Sequence, residues 1–167
     1  MKTLLILRHA KSSWKDREKS DHDRSLNKRG KRDAPRMGRL VAERGLRPER
    51  IISSTAKRAR ITAEAVAAQA GYRDAVQLER QLYLANPAEI VEVLRETGGK
   101  AASVMVVGHN PGLEELVARF GGVGEPLPTA ALAEVHLDIP AWKELTLRSP
   151  GRLANIWRPR EFLPEGD

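Results

Sequence analysis

Short apolar runs alternate with helical patterns along this chain. Thr3-Leu4-Leu5-Ile6-Leu7 is a continuous apolar run closed by Arg8, the pattern of a strand buried on both faces. Lys11–Ser25 is polar and lacks periodicity, so it reads as a loop. Met37, Leu40 and Val41 give one apolar face to a helix that ends near Gly45, a suitable C-terminal cap. Pro35 requires that helix either to begin there or to kink. Arg50–Ser53 reads as a second strand, and Lys57–Ala70, rich in alanine and stopped by Gly71, as a helix. Val76–Leu78 is a weak third strand. Asn86-Pro87-Ala88-Glu89 supplies a cap, a proline at the first helical position and a glutamate at the third, opening a helix through about Glu96. Ser103–Val107 is the fourth buried strand, followed by Gly108-His109-Asn110-Pro111-Gly112 and a helix through Phe120. Glu134–Ile139 and Leu153–Trp157 read as late strands, with a loop or short helix around Trp142 and with Ile156 or Trp157 in the core. No repeat, linker or low-complexity tract interrupts the series. Repeated strand–helix order predicts one domain over residues 1–167, a three-layer αβα sandwich with a largely parallel sheet.

Composition narrows the class. The 167 residues, 41% apolar and 31% charged, suit a soluble globular domain with a real core. No apolar run approaches the roughly 18–20 residues of a membrane span, and the run ending at Arg8 is too short for a signal peptide. These features predict a cytoplasmic protein without membrane contact. The absence of cysteine excludes disulfides and thiolate chemistry. With four histidines, none at a close pair spacing, the chain is expected to need no metal and no cofactor.

The net charge of +7 is unevenly spread: residues 1–60 hold 19 Lys and Arg against 7 Asp and Glu, and residues 61–167 hold 10 against 15. A basic half attracts nucleic acid or a small or protein-bound anion, or is simply a solvated surface. Two Phe, two Tyr and three Trp, not interleaved with the basic residues, argue against nucleic acid.

The candidate chemistry follows the strands. Arg8-His9 succeeds the first, Arg58 lies just beyond the second, and His109 succeeds the fourth. Ligands of open α/β sheets bind outside the carboxyl ends of the strands, so a parallel arrangement brings two histidines and two arginines to one rim. Guanidinium groups match phosphate oxygens and neutralise a phosphoryl group in transfer. An imidazole nitrogen is a competent nucleophile near neutral pH. The helix beginning near Lys57 would aim its positive end at the same anion. Each residue also has a structural reading: a hydrogen-bonded histidine, a surface arginine, a turn glycine at 108 or 112.

Leu7-Arg8-His9-Ala10-Lys11-Ser12-Ser13-Trp14 resembles the N-terminal signature of the histidine phosphatase superfamily, and in particular its small phosphohistidine phosphatase (SixA-type) branch, which has R-H-A-K-S where most relatives have R-H-G-E. The likeness continues through Asp23-Arg24-Ser25-Leu26 with Gly30, through Ser53-Ser54-Thr55-Ala56-Lys57-Arg58-Ala59-Arg60-Ile61-Thr62-Ala63, and through Val107-Gly108-His109-Asn110-Pro111-Gly112. It implies a phosphoglycerate-mutase-like fold, with His9 as the phosphorylated nucleophile and Arg8, Arg58 and His109 on the phosphoryl oxygens. Lys11, Ser12, Trp14 and Asn110 are further candidates for substrate binding, with a loop anchor as the alternative role of Trp14. Arg60, two residues from Arg58 on a helix, is expected to face elsewhere.

Ala10 and Lys11 replace the glycine and glutamate of most relatives, and Ser25 stands where the branch usually has proline. Larger relatives place an acidic proton donor after the third strand; here Leu82-Tyr83-Leu84-Ala85-Asn86-Pro87 holds none, Glu89 is accounted for as a cap, and Asp21 and Asp23 are weaker candidates. An alkoxide leaving group needs such an acid more than the nitrogen of a labile P–N bond does. The expected function is therefore a metal-independent phosphatase for phosphohistidine in proteins. The alternatives are small phosphorylated metabolites as substrate, or a non-catalytic module that binds phosphate or phosphoproteins.

Overall fold

In the computed structural model, which describes residues 1–16 and 18–162 with the side chain of Phe162 excepted, six strands form one central sheet. Arg17 and residues 163–167 of the expected domain lie outside the described residues. The strands are β1 (Lys2–Arg8), β2 (Arg50–Ser54), β3 (Gln77–Glu79), β4 (Ser103–Gly108), β5 (Leu132–Leu137) and β6 (Gly151–Trp157), in the order β3-β2-β4-β1-β5-β6. β1, β2, β3 and β4 pair in parallel, and β5 runs antiparallel to both β1 and β6. The largely parallel sheet of the sequence reading is therefore present, with β5 as its reversed strand.

Alternation along each strand divides the core into two layers. Leu4, Ile6, Val104, Val106 and Val135 pack with residues of α3 (Pro87–Thr97) and α4 (Gly112–Gly121). Leu5, Leu7, Ile51, Met105 and Val107 pack with α1 (Lys28–Glu43) and α2 (Lys57–Ala70). Successive side chains of a strand point to opposite faces, so the uninterrupted apolar run of β1 feeds both layers, and a three-layer αβα sandwich results. Trp142, in a short 3-10 turn (Trp142–Glu144), is fully buried and donates its indole N–H to the Ala101 carbonyl at 2.7 Å. Trp157 is buried against the α1–α2 layer, as its position in the last strand predicts. A short helix, α5 (Pro159–Phe162), follows β6.

Of the two expectations for Pro35, the structure excludes a helix that starts there. α1 begins at Lys28 and runs through Pro35 instead of starting there. Asn27 caps it by accepting the Gly30 amide at 2.9 Å, which supplies one of the partners a first turn lacks. Gly38, further along, lets α1 approach α2 so closely that a Cβ there would lie 2.7 Å from the Gln69 Cβ. This packing compensates for the one backbone hydrogen bond that the proline removes.

The register decides where the chemistry lies. Leu7 is level with Val107, Ser53 with Val107, and Arg8 with Gly108. The carboxyl ends of β1, β2 and β4 therefore open on the same rim of the sheet.

Candidate active site

His9 follows β1 directly and is 7% exposed. Its Nδ1 lies 2.7 Å from the Ala10 carbonyl oxygen. A carbonyl only accepts, so Nδ1 carries the ring proton and the lone pair is on Nε2. The Ala10 amide in turn donates to the Thr62 hydroxyl at 3.0 Å, and that hydroxyl donates to the Arg58 carbonyl at 2.7 Å. The end of β1 is thereby tied to the first turns of α2.

His109 follows β4, and its ring centroid is 5.2 Å from that of His9, with the planes tilted by 51°. Its Nε2 is 2.8 Å from the Ser54 hydroxyl at the end of β2. Arg58, on the first turn of α2, is 3% exposed. It donates from Nη1 to the Asp21 carbonyl at 2.6 Å and from Nη2 to the Asp21 carboxylate at 3.0 Å. Arg8 donates from Nη1 to the Leu127 carbonyl at 3.1 Å. Three buried nitrogens of this group, Arg8 Nε, Arg58 Nε and His109 Nδ1, have no hydrogen-bond partner among the described residues. A buried donor left unpaired costs on the order of 1–3 kcal/mol, and three on residues flanking one imidazole mark a place shaped for acceptor oxygens.

Burial lowers the pKa of His9 to about 4; the Ala10 hydrogen bond opposes this, and Arg58, Arg8 and Arg24 reinforce it. Burial and then His9 and Arg58 lower His109 to about 3. Both rings are therefore neutral near pH 7. Burial lowers the Arg8 guanidinium as well, against the raising effect of Glu114. At Asp21 burial acts upward but is outweighed by the hydrogen bonds from Tyr83 and Arg58, and the carboxyl falls to about 2. Among the described residues no three His, Asp or Glu side chains come together as a metal site.

A model of the histidine phosphatase superfamily (branch 1) matches residues 4–83. The chain belongs to this superfamily. A chloroplastic protein of Arabidopsis thaliana is 34% identical over 158 residues, spanning 89% of this chain and 72% of the relative. A structure from Agrobacterium tumefaciens, proposed as the phosphohistidine phosphatase SixA, superposes with a TM-score of 0.79 at 29% identity and covers 95% of this chain and 98% of that one. The protein histidine phosphatase SixA in complex with tungstate superposes at 0.81 and 23% identity, over 95% and 98% of the two chains, and shares the fold. This histidine phosphatase has the phosphoglycerate-mutase-like fold and is a phosphoric hydrolase.

Arg8, His9, Arg58 and His109 of the phosphatase thus share one rim. Ser12 is buried and accepts from Arg24 Nη1 at 2.7 Å. The Asn110 amide donates to Glu114 at 2.8 Å and to the Leu127 carbonyl at 2.9 Å, which leaves it shaping the turn behind Arg8. Lys11 is exposed. Trp14 is 69% exposed, with the Arg24 guanidinium carbon 3.5 Å above its ring. Arg60 pairs with Glu64 at 3.0 Å, and Glu89 closes a capping box with Asn86.

Arg24, Ser54 and Tyr83 were not among the site residues read from the sequence. Tyr83 stands edge-on to His109, with centroids 5.5 Å apart, and donates its hydroxyl to the Asp21 carboxylate. Its hydroxyl pKa is raised, by burial first and then by Asp21. Arg24 and Ser54 fall within the stretches that resemble the family, and Tyr83 is next to the end of the turn after β3. Position after a strand was the available signal for Ser54 and Tyr83.

Proposed function

We propose that this phosphatase hydrolyses phosphohistidine in proteins through a covalent intermediate on His9. The observation that carries the reading is the set of unpaired donors, Arg8 Nε, Arg58 Nε and His109 Nδ1, beside an imidazole whose lone pair is on Nε2. A phosphoryl group held by the three donors presents phosphorus to Nε2. As the new P–N bond forms, the bond from phosphorus to the substrate nitrogen breaks and its electron pair stays on that nitrogen. Water then attacks phosphorus, the pair of the P–Nε2 bond returns to His9, and a proton of the water passes to phosphate oxygen or solvent. The donors act where charge is carried by the equatorial oxygens, the main requirement of phosphoryl transfer.

The substrate class is supported by the acid–base groups. Asp21 is held ionised at neutral pH, and the Tyr83 hydroxyl gives its hydrogen to that carboxylate, so neither is a ready proton donor for an alkoxide. Trp14 and Lys11, both exposed, are available to the protein part of the substrate.

Turnover of a phosphohistidine peptide and of an alkyl phosphate such as glycerol phosphate tests the assignment. Without an acid the alkyl ester forgoes a contribution of about 10²–10⁴-fold, so kcat/KM is expected to favour the peptide by a factor of that order. Equal or better turnover of the alkyl ester would transfer the assignment to small phosphorylated metabolites.

A further inference from the structure

A carboxylate stands beside a group of donors otherwise arranged to hold an anion. Asp21, in a 3-10 turn of the loop after β1 (Asp21–Asp23), has a side chain 43% exposed to solvent. Its Oδ2 accepts from Arg58 Nη2 at 3.0 Å and from the Tyr83 hydroxyl, and its Oδ1 accepts from Arg24 Nε at 3.2 Å. A carboxylate has about four acceptor positions. Three are taken, and the remaining one belongs to Oδ1 of this half-exposed side chain.

The position follows from Arg58. That guanidinium turns its two terminal nitrogens to Asp21 while its Nε stays buried and unpaired. Asp21 is therefore separated from the anion-binding donors by about the width of one guanidinium, on the solvent side. In-line transfer sends the leaving group of a phosphoryl group seated on Arg8, Arg58 and His109 away from His9, and Asp21, bonded to Arg58 and to the Tyr83 that stands against His109, borders that site.

For an ordinary phosphate ester such a carboxylate is a disadvantage: its charge repels the phosphate, and an ester oxygen has no hydrogen to give it. The balance changes for a phosphorylated imidazole. When the ring nitrogen remote from phosphorus is protonated, it presents an N–H and a positive charge one ring width beyond the scissile bond. The geometry points to Asp21 as the residue that accepts the remote N–H of the substrate's phosphorylated imidazole and so selects P–N over P–O substrates. The inference rests on the phosphohistidine reading above and assigns its specificity to one side chain. When Nε2 of His9 takes the phosphoryl group, the electron pair of the breaking P–N bond neutralises the ring cation. The remote proton stays on the leaving imidazole, hydrogen-bonded to Asp21. No proton has to come from the enzyme, which fits a carboxylate that stays ionised.

The alternative role for Asp21 is to orient Arg58, which would affect every substrate alike. Comparing kcat/KM of wild type and Asp21→Asn on a phosphohistidine peptide and on p-nitrophenyl phosphate separates the two. The expected result is a loss on the peptide at least about tenfold larger than on the ester, the scale of one hydrogen bond to a charged group. Tungstate, an oxyanion without an N–H, reads the anion site independently, and its inhibition constant in Asp21→Asn should stay within about threefold of wild type or tighten as a repulsive charge is removed. Equal losses on both substrates, or a tungstate constant weakened in step with them, would overturn the assignment. A wild-type enzyme that hydrolyses the ester but not the peptide would instead refute the underlying substrate reading, whatever the variant does.

Discussion

Ser54 and His109 are joined by a 2.8 Å hydrogen bond between the Ser54 hydroxyl and Nε2 of the imidazole. The same hydroxyl oxygen accepts the Ala56 amide at 3.1 Å, and among the described residues Nε2 is the acceptor within reach of its own hydrogen. Because a neutral imidazole carries one proton, that proton lies on Nδ1, the nitrogen without a protein partner. A serine at the end of β2 thus makes a histidine at the end of β4 a donor toward the phosphoryl oxygens.

Ser54→Ala removes the group that selects this tautomer while leaving both arginines in place. The expected outcome is a fall in kcat/KM of about tenfold, the equivalent of one hydrogen bond. Ser54→Thr, which keeps the hydroxyl, should recover most of it. Steady-state kinetics of the two variants on p-nitrophenyl phosphate check the point.

The neutral imidazoles give stability a definite pH dependence. His9 is lowered to about 4 and His109 to about 3, each from an ordinary value of 6.5 and each chiefly by burial. Between about pH 6.5 and 4 the unfolded chain therefore binds more protons at these sites than the native one, and stability must fall as pH falls. Asp21, lowered to about 2 from an ordinary value of 3.8, extends the same sign to still lower pH. Urea unfolding midpoints at pH 7.5 and pH 5 should decline in wild type and decline less in the double variant His9→Asn, His109→Asn.

Gly112 opens α4 and lies so close to Ala85 that a Cβ there would overlap the Ala85 carbonyl oxygen. Since Ala85 ends the turn that carries Tyr83, this approach brings the His109 loop against the tyrosine. Gly112→Ala should cost about 1–3 kcal/mol, the usual cost of overpacking, and should lower phosphatase activity as Tyr83 and His109 separate. The nearest atoms that a Cβ at Gly108 would meet are side-chain atoms of Leu113, at an ordinary contact distance of 3.6 Å. Gly108→Ala should therefore be much milder in thermal melts run side by side.

The sheet and the rim were legible because their signals are local. A run such as Leu4-Leu5-Ile6-Leu7 can feed two apolar layers only inside a sheet covered on both faces, and His9 and His109 each stand one residue beyond such a run. The start of α1 was not legible from periodicity: Lys28-Arg29-Gly30-Lys31-Arg32 has no apolar stripe, and the helix depends on the Asn27 cap and on packing against α2. The surroundings of Asp21 were hidden for a different reason. Arg24 is three residues away in the same loop, but Arg58 and Tyr83 come from distant segments, and that separation leaves no pattern in a polar loop. The same holds for Glu114, whose carboxylate raises the pKa of Arg8 across the Leu127 turn. Charge networks of this kind are set by tertiary approach, which neither alternation nor capping encodes.

The most direct measurement is to mix the enzyme with a phosphohistidine peptide, quench it in alkali within a turnover and sequence its own peptides by mass spectrometry. The account predicts one added phosphoryl group on His9, lost on acid treatment and absent from His9→Ala. Turnover with no phosphorylated enzyme at any quench time, or a phosphoryl group on another residue, would contradict it.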